Sequence, residues 1–224
     1  MIKILRQNDD FVAVDKMEGI SVHNAEDAEN LMSLVSRQLG AARLFPVHRL
    51  DKETSGLQIF ALNETAARNL ATQFQSQSVC KIYSGILRGT LPAENGAWTQ
   101  PLTDKAEGRK NPLGLSKDRV ACETRFQVKK ATGYFSLCEF ELMTGRQHQI
   151  RKHAAVAKHA LVGDPRYGDG KYNQRIFAIY GVQRMFLHCH QISISGIFLE
   201  SPVPASFAQL LSESVNDSTP PAYT

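Results

Sequence analysis

Strand-like and helix-like segments alternate in this chain without a recurring strand–helix–strand period, and that irregular order limits its fold more than any other feature. A parallel sheet needs a crossover of a dozen or more residues between neighbouring strands. Here Ile2–Leu5 and Phe11–Val14 are short apolar runs separated only by a polar Gln7–Asp10 break, which predicts two strands joined by a turn. Ala121–Val128 and Tyr134–Leu142 predict a second antiparallel pair around Gly133. Leu57–Leu62, Val79–Leu87, Met185–His188 and Gln191–Ile194 read as further extended segments. Helices are expected over 25–39, where Leu31, Leu34, Val35 and Leu39 share a face and Gly40 supplies a stop. Two more are expected: one from an Asn63 cap to about Gln77, the other from Thr144 to about Lys158. Residues 89–98 read as a loose connection, 103–119 as a loop, and 163–170 as a turn. The expected class is α+β, with a mixed, mostly antiparallel sheet and flanking helices. One domain is expected over 1–212, with a flexible tail over 213–224. The 103–119 loop reads either as a subdomain boundary or as a surface insertion.

Charge narrows function only weakly. Twenty-six basic against 22 acidic residues leave a formal net of +4, which an ordinary basic enzyme would also show. The basic excess is local: Lys105, Arg109, Lys110, Lys117, Arg119, Arg125, Lys129 and Lys130 face only Glu107, Asp118 and Glu123 in the same region. Such a segment suits phosphate contacts or simply a solvated surface. No segment is apolar enough to span a bilayer, and the N-terminus lacks a secretory pattern, so a cytoplasmic location is expected. Cys80, Cys122, Cys138 and Cys189 form no C-x-x-C pair and are expected as thiols. His188-Cys189-His190 offers too few ligands for zinc, and no metal is expected.

Chemistry concentrates in His48-Arg49-Leu50-Asp51-Lys52-Glu53-Thr54-Ser55-Gly56. Asp51 can act as a nucleophile or proton acceptor, Arg49 can pair with phosphate, and Gly56 permits a sharp turn. The same residues could also form an ordinary polar loop with an internal salt bridge. A second concentration is Thr144-Gly145-Arg146-Gln147-His148-Gln149-Ile150-Arg151-Lys152-His153, followed by Gly163-Asp164-Pro165-Arg166-Tyr167-Gly168. Lys81-Ile82-Tyr83 is a third.

The first stretch resembles the signature of the RluA-type family of RNA pseudouridine synthases: His-Arg-Leu-Asp, two variable residues, then Thr-Ser-Gly. Seven fixed identities at residue frequencies near one in twenty arise by chance about once in 10⁹ positions. The second stretch is similar to the family's Thr-Gly-Arg-x-His-Gln-Ile-Arg-x-His block and the third to its Lys-x-Tyr block. Phe11–Lys16 with Gly19–His23 resembles its opening block, where Met17 replaces the usual proline. Leu187-His188 resembles a late block, and His188 reads as structural or pocket-lining. The resemblance runs from about residue 4 to 204 and is closest to compact members without an N-terminal S4-like domain.

The resemblance implies isomerisation of specific uridines in tRNA or rRNA, without a cofactor. The N-glycosidic bond breaks, the uracil rotates, and C5 joins the ribose. It implies catalytic roles for Asp51, Tyr83 and Arg146, with Arg146 as the aspartate's partner. Arg49, His48, Thr54, Lys81 and Arg151 become candidates for RNA binding and base flipping. His148 and His153 read as turn-capping or core residues. The expected partner is a structured RNA; no membrane or obligatory protein partner is implied. Two other classes bear on the same residues. A noncatalytic RNA-binding protein would not need Asp51, Tyr83 and Arg146 together, and a glycoside hydrolase would need a second placed carboxylate.

Overall fold

The computed structural model describes residues 1–216 except 25 and 77, with side chains described as far as 212. It is an α+β fold that divides into two compact units, Met1–Ile82 with His188–Pro202, and Tyr83–Leu187 with the segment from Val203 onward. The chain changes units inside two strands and at Pro202/Val203, whereas the 103–119 loop lies wholly within the second unit.

In the first unit, β1 (Lys3–Gln7) pairs antiparallel with β2 (Phe11–Lys16), as the two apolar runs predict. β2 pairs antiparallel with β4 (Ser55–Ala61), and β3 (Phe45–Pro46) adds to the same strand. β9 (Leu187–Ile194) runs parallel to β4 through Ser55–His188 and Gly56–Cys189, then pairs with β10 (Ile197–Glu200). Every residue of β4 is buried, so this strand forms the centre of the unit. Helix α1 (Leu31–Gln38) is shorter than the expected 25–39. Asn30 accepts from Ser33 N–H, and the Ser33 hydroxyl lies 3.2 Å from Asn30 N, so a capping box fixes the start. Gly40, at φ +73°, follows the helix as its expected stop. Helix α2 (Glu64–Gln75) begins at Asn63, whose side chain accepts from Ala66 N–H at 2.8 Å.

The second unit orders its strands β5 (Cys80–Arg88), β8 (Phe135–Leu142), β7 (Thr124–Ala131) and β6 (Asn95–Trp98). The expected hairpin around Gly133 is β7–β8. Residues 95–98, read as a loose connection, instead pair with β7. Asn, Gly and Ala are poor strand formers, and only Trp98 of the four is buried. Helix α3 (Gln149–Val156) starts five residues after Thr144. Two helices escaped the sequence pattern. The first, α4 (Gly170–Tyr180), is capped by the Asp169 carboxylate accepting from Tyr172 N–H and closed by Gly181 at φ +66°. The second, α5 (Ala205–Asn216), covers the first four residues of the expected tail; 217–224 lie outside the described residues.

Phe207, Leu210 and Leu211, at helical spacing, join Ile86, Phe135, Val162, Ile176, Tyr180 and Phe186 in one apolar core. Among the described residues, no helix is long and apolar enough to cross a membrane. Because Leu210 is fully buried, Leu210→Ala is expected to cost about 2–5 kcal/mol. Urea denaturation measures it; a loss below about 0.5 kcal/mol would match a solvated surface position and remove α5 from the core.

Candidate active site

The Asp51 segment is held by a buried cation. Lys16, at the end of β2, is fully buried, and its Nζ donates to the carbonyls of Met17 (3.0 Å), Lys52 (3.1 Å) and Thr54 (2.7 Å). An ammonium has three protons, and these three acceptors match them. Thr54 N–H donates to Asp51 O and Gly19 N–H to Lys52 O, so the turn carrying Asp51 is fixed from several directions. Asp51 itself is half-buried, between buried Leu50 and exposed Lys52. Thr54 and Ser55 are buried, and the Thr54 carbonyl accepts from Lys16 within this turn.

Gly56 follows at φ +110°, and a Cβ there would stand 2.2 Å from Cys189 O. Only glycine allows this approach of β4 to β9. Ser55 Oγ lies 2.8 Å from His188 Nδ1, and His188 Nε2 lies 3.3 Å from Ser201 O. A carbonyl only accepts, so Nε2 carries a proton, and in the neutral ring the serine hydroxyl donates to Nδ1. His188 is therefore a structural link within the first unit.

His48 is also built inward. Its Nε2 accepts from Ile59 N–H at 3.0 Å, and its ring stacks on Phe74 at 4.6 Å. Burial and then the Lys81 charge push its pKa down to about 3. It is a neutral, packed ring, not an imidazolium offered to phosphate. Lys81 is half-buried, 6.0 Å from the Phe74 ring, and burial lowers its pKa. Arg49 is exposed beside these residues in sequence.

In the second unit, Tyr83 is buried on β5. Arg146 is half-buried, and its Nε is buried without a hydrogen-bond partner among the described residues. Such a donor suits an arriving anion. His148 adopts the left-handed conformation, φ +56°, at the entrance to α3. Its Nδ1 lies 3.0 Å from the Tyr167 hydroxyl, which accepts from Glu107 N–H. Burial pushes the Tyr167 pKa up to about 12, so the phenol keeps its proton.

Six successive residues of α3, Gln149–Ala154, are buried, and its polar groups therefore need internal partners. Arg151 donates through Nε and Nη2 to Asp164 at 2.8 and 2.9 Å, with both side chains almost completely buried. The same carboxylate accepts from Arg166 and Tyr167 N–H. The RNA contact expected of Arg151 does not fit this place: its guanidinium braces the 164–167 turn. The basic surface also contracts. Arg125 pairs with Glu123 and Glu141, Lys129 with Glu139, and Arg109 with Asp169. Lys105, Lys110, Lys117 and Arg119 stay exposed on the 103–119 loop. The support given by Lys16 has only a faint mark in the sequence, a lysine just beyond the apolar run Phe11–Val14.

Residues 10–156 match the RNA pseudouridylate synthase family. A "tRNA pseudouridine synthase C" of Pasteurella multocida is 35% identical over 211 residues, covering 85% of this chain and 84% of that protein. The Vibrio vulnificus protein of the same name is 30% identical, covering 86% and 84%. In fold, the chain resembles the solved Human RNA Pseudouridylate Synthase Domain Containing 4, with a TM-score of 0.79 at 22% identity, over 97% of this chain and 94% of that one. The chain belongs to the RNA pseudouridylate synthase family. It is accordingly an enzyme of the isomerase class, acting on RNA.

Two outcomes test these assignments. Arg151→Met leaves Asp164 buried without its cation and is expected to cost about 3–5 kcal/mol in urea denaturation, with RNA affinity of the folded protein preserved. A selective loss of RNA affinity without a loss of stability would restore Arg151 as an RNA contact. His48 stays neutral when folded but takes up a proton near pH 6.5 when unfolded. Its stabilisation is thus complete above about 6.5 and is lost as the pH falls toward about 3. Thermal melts across that window should decline more steeply for the native protein than for His48→Gln; parallel declines would show a solvated, ordinary histidine.

Proposed function

We propose that this chain converts a uridine in a structured tRNA to pseudouridine in the cytoplasm, as an RluA-type enzyme with Asp51 as its catalytic carboxylate. What carries the reading is a family match over residues 10–156, a span that contains Asp51, Tyr83 and Arg146. The relatives named as tRNA pseudouridine synthases favour tRNA over rRNA. Rigidity favours Asp51 as well. A carboxylate on a turn held by Lys16 presents a fixed geometry, and preorganisation of this kind lowers the cost of reaching a transition state.

In the reaction, the N1–C1′ bond breaks and a C5–C1′ bond forms. The proton on C5 leaves, and N1 gains one. The exchange is redox-neutral. Asp51 serves either by attacking the ribose or base, or by taking a ribose proton. Tyr83 supplies a face for the uracil, and Arg146 a fixed cation. The base must leave its stack to be reached, and Arg49, exposed next to the motif, suits the vacated space or a nearby phosphate. The exposed cations of the 103–119 loop suit the backbone of a folded RNA, with affinity falling as salt rises.

The test follows the lost C5 proton. RNA carrying tritium at uridine C5 releases label on turnover, with tRNA and rRNA transcripts in separate arms. Asp51→Asn is expected to release none while keeping most of its RNA affinity. Release by the folded variant would remove Asp51 from catalysis; release from rRNA alone would remove the tRNA assignment.

A further inference from the structure

The Gln149 side chain uses its full hydrogen-bonding capacity. Its Oε1 accepts from Thr144 Oγ1 (2.7 Å) and Arg146 N–H (3.1 Å). Its Nε2 donates to Glu123 O (2.9 Å) and Thr124 Oγ1 (2.9 Å). The residue is 3% exposed, and its own N–H donates to Arg146 O. The side chain of Gln149 thus ties Arg146 N–H to the start of β7, while its backbone N–H holds Arg146 O.

The direction of every bond in this network follows from its fixed ends. Gln100 O and Glu123 O can only accept. His153 Nε2, 3.0 Å from Gln100 O, therefore carries a proton. His153 is buried, and burial lowers its pKa, so the ring is neutral and Nδ1 has a lone pair. Thr124 Oγ1, 2.9 Å from Nδ1, donates to it and is left to accept from the Gln149 amide. Nε2 must then face Thr124 and Glu123, and Oε1 must face Arg146 and Thr144. Thr144 closes the circuit, because its hydroxyl donates to Gln149 and accepts from Glu123 N–H. Reversing the amide would set its oxygen against Glu123 O and its NH2 against the N–H of Arg146.

This local demand has a cause in the backbone. α3 cannot simply extend back to Thr144, because His148 turns left-handed at φ +56°. That conformation is unfavourable for a residue with a side chain, and the 144–148 turn is not held by helical bonds. An external clamp is required, and Gln149 provides it. We propose that Gln149 is a positioning residue for the isomerisation, acting by fixing the turn that carries Arg146. The inference rests on the role given above to Arg146.

Gln149→Glu tests it with almost no change in volume. The carboxylate presents an oxygen where Glu123 O and Thr124 need a donor. Single-turnover tritium release at saturating tRNA should slow by about 100-fold, the scale expected when a reacting group is displaced by an ångström. RNA affinity of the folded enzyme should stay within about twofold, the separation expected when only transition-state stabilisation is lost. A purely structural role would lower the melting temperature and leave the rate of the folded enzyme unchanged. That result would overturn the proposal. Thr144→Val, which removes one hydroxyl at similar volume, gives the same reading if Gln149→Glu does not fold; a native rate in that variant would also overturn it. Arg146→Ala separates the two levels. A native rate in Arg146→Ala would remove the role on which the inference rests. A slow Arg146→Ala beside a native-rate Gln149→Glu would remove the inference alone.

Discussion

The buried Lys16 ammonium is the constraint on which the Asp51 segment depends. Moving such a charge out of water costs several kcal/mol even after the protein relaxes, and it is tolerated only where its protons find acceptors. The acceptors here are the carbonyls of residues 17, 52 and 54. The turn between them cannot swing away without stranding the charge. Lys16 therefore imposes on a loop the rigidity ordinarily supplied by a helix or strand. Gly56 adds a second restraint, since its backbone closes against Cys189 where any side chain would collide. A flexible polar segment thus becomes a fixed platform with Asp51 on it.

The second unit solves a similar problem with neutral groups. Its Arg146 turn is irregular because α3 begins late, and its polar atoms are matched through Gln149, Thr144, Thr124 and His153. The neutral network adds no buried charge beside Arg146, whose own Nε is buried without a hydrogen-bond partner among the described residues. Arg151 and Asp164 then brace the following turn as a buried ion pair. Removing either partner would leave a charge without compensation, which is why such pairs hold geometry even when they add little net stability.

The sequence revealed more of the chemistry than of the scaffold around it. Strands β1, β2, β7 and β8 and the cap of α2 follow short-range signals: apolar runs, a tight break, one asparagine. α4 was obscured because Phe177 and Ile179 are exposed while Ile176 and Tyr180 are buried, which blurs a single apolar face. α5 was hidden behind Pro202 and Pro204, although Phe207, Leu210 and Leu211 carry the helical spacing. The division into two units leaves no linker in the sequence, because the chain changes units within β5 and β9. Asp51, Tyr83 and Arg146 were legible as motif positions. Lys16 and Gln149 were not legible as supports, because their roles depend on carbonyls and hydroxyls brought together only by folding.

Charge shows most clearly why a count of basic residues misleads. Lys16, Arg151 and Lys152 lie in motif segments, and Arg151 is a candidate RNA contact in sequence, yet all three are buried and bonded inward. Lys152 donates to Thr103 O at 2.7 Å, at the root of the 103–119 loop. On β7, Arg125 and Lys129 are matched by carboxylates of β8 and of Glu123, which immediately precedes the strand. These cations divide by environment: Lys16, Arg151 and Lys152 are bonded inside, Arg125 and Lys129 balance neighbouring acids, and Lys105, Lys110, Lys117 and Arg119 are exposed on the loop. Lys152 links the first group to the last, because the buried ammonium anchors the loop that carries the exposed charges. The cations that hold these turns and those exposed to solvent are therefore different lysines and arginines, although the composition counts them alike.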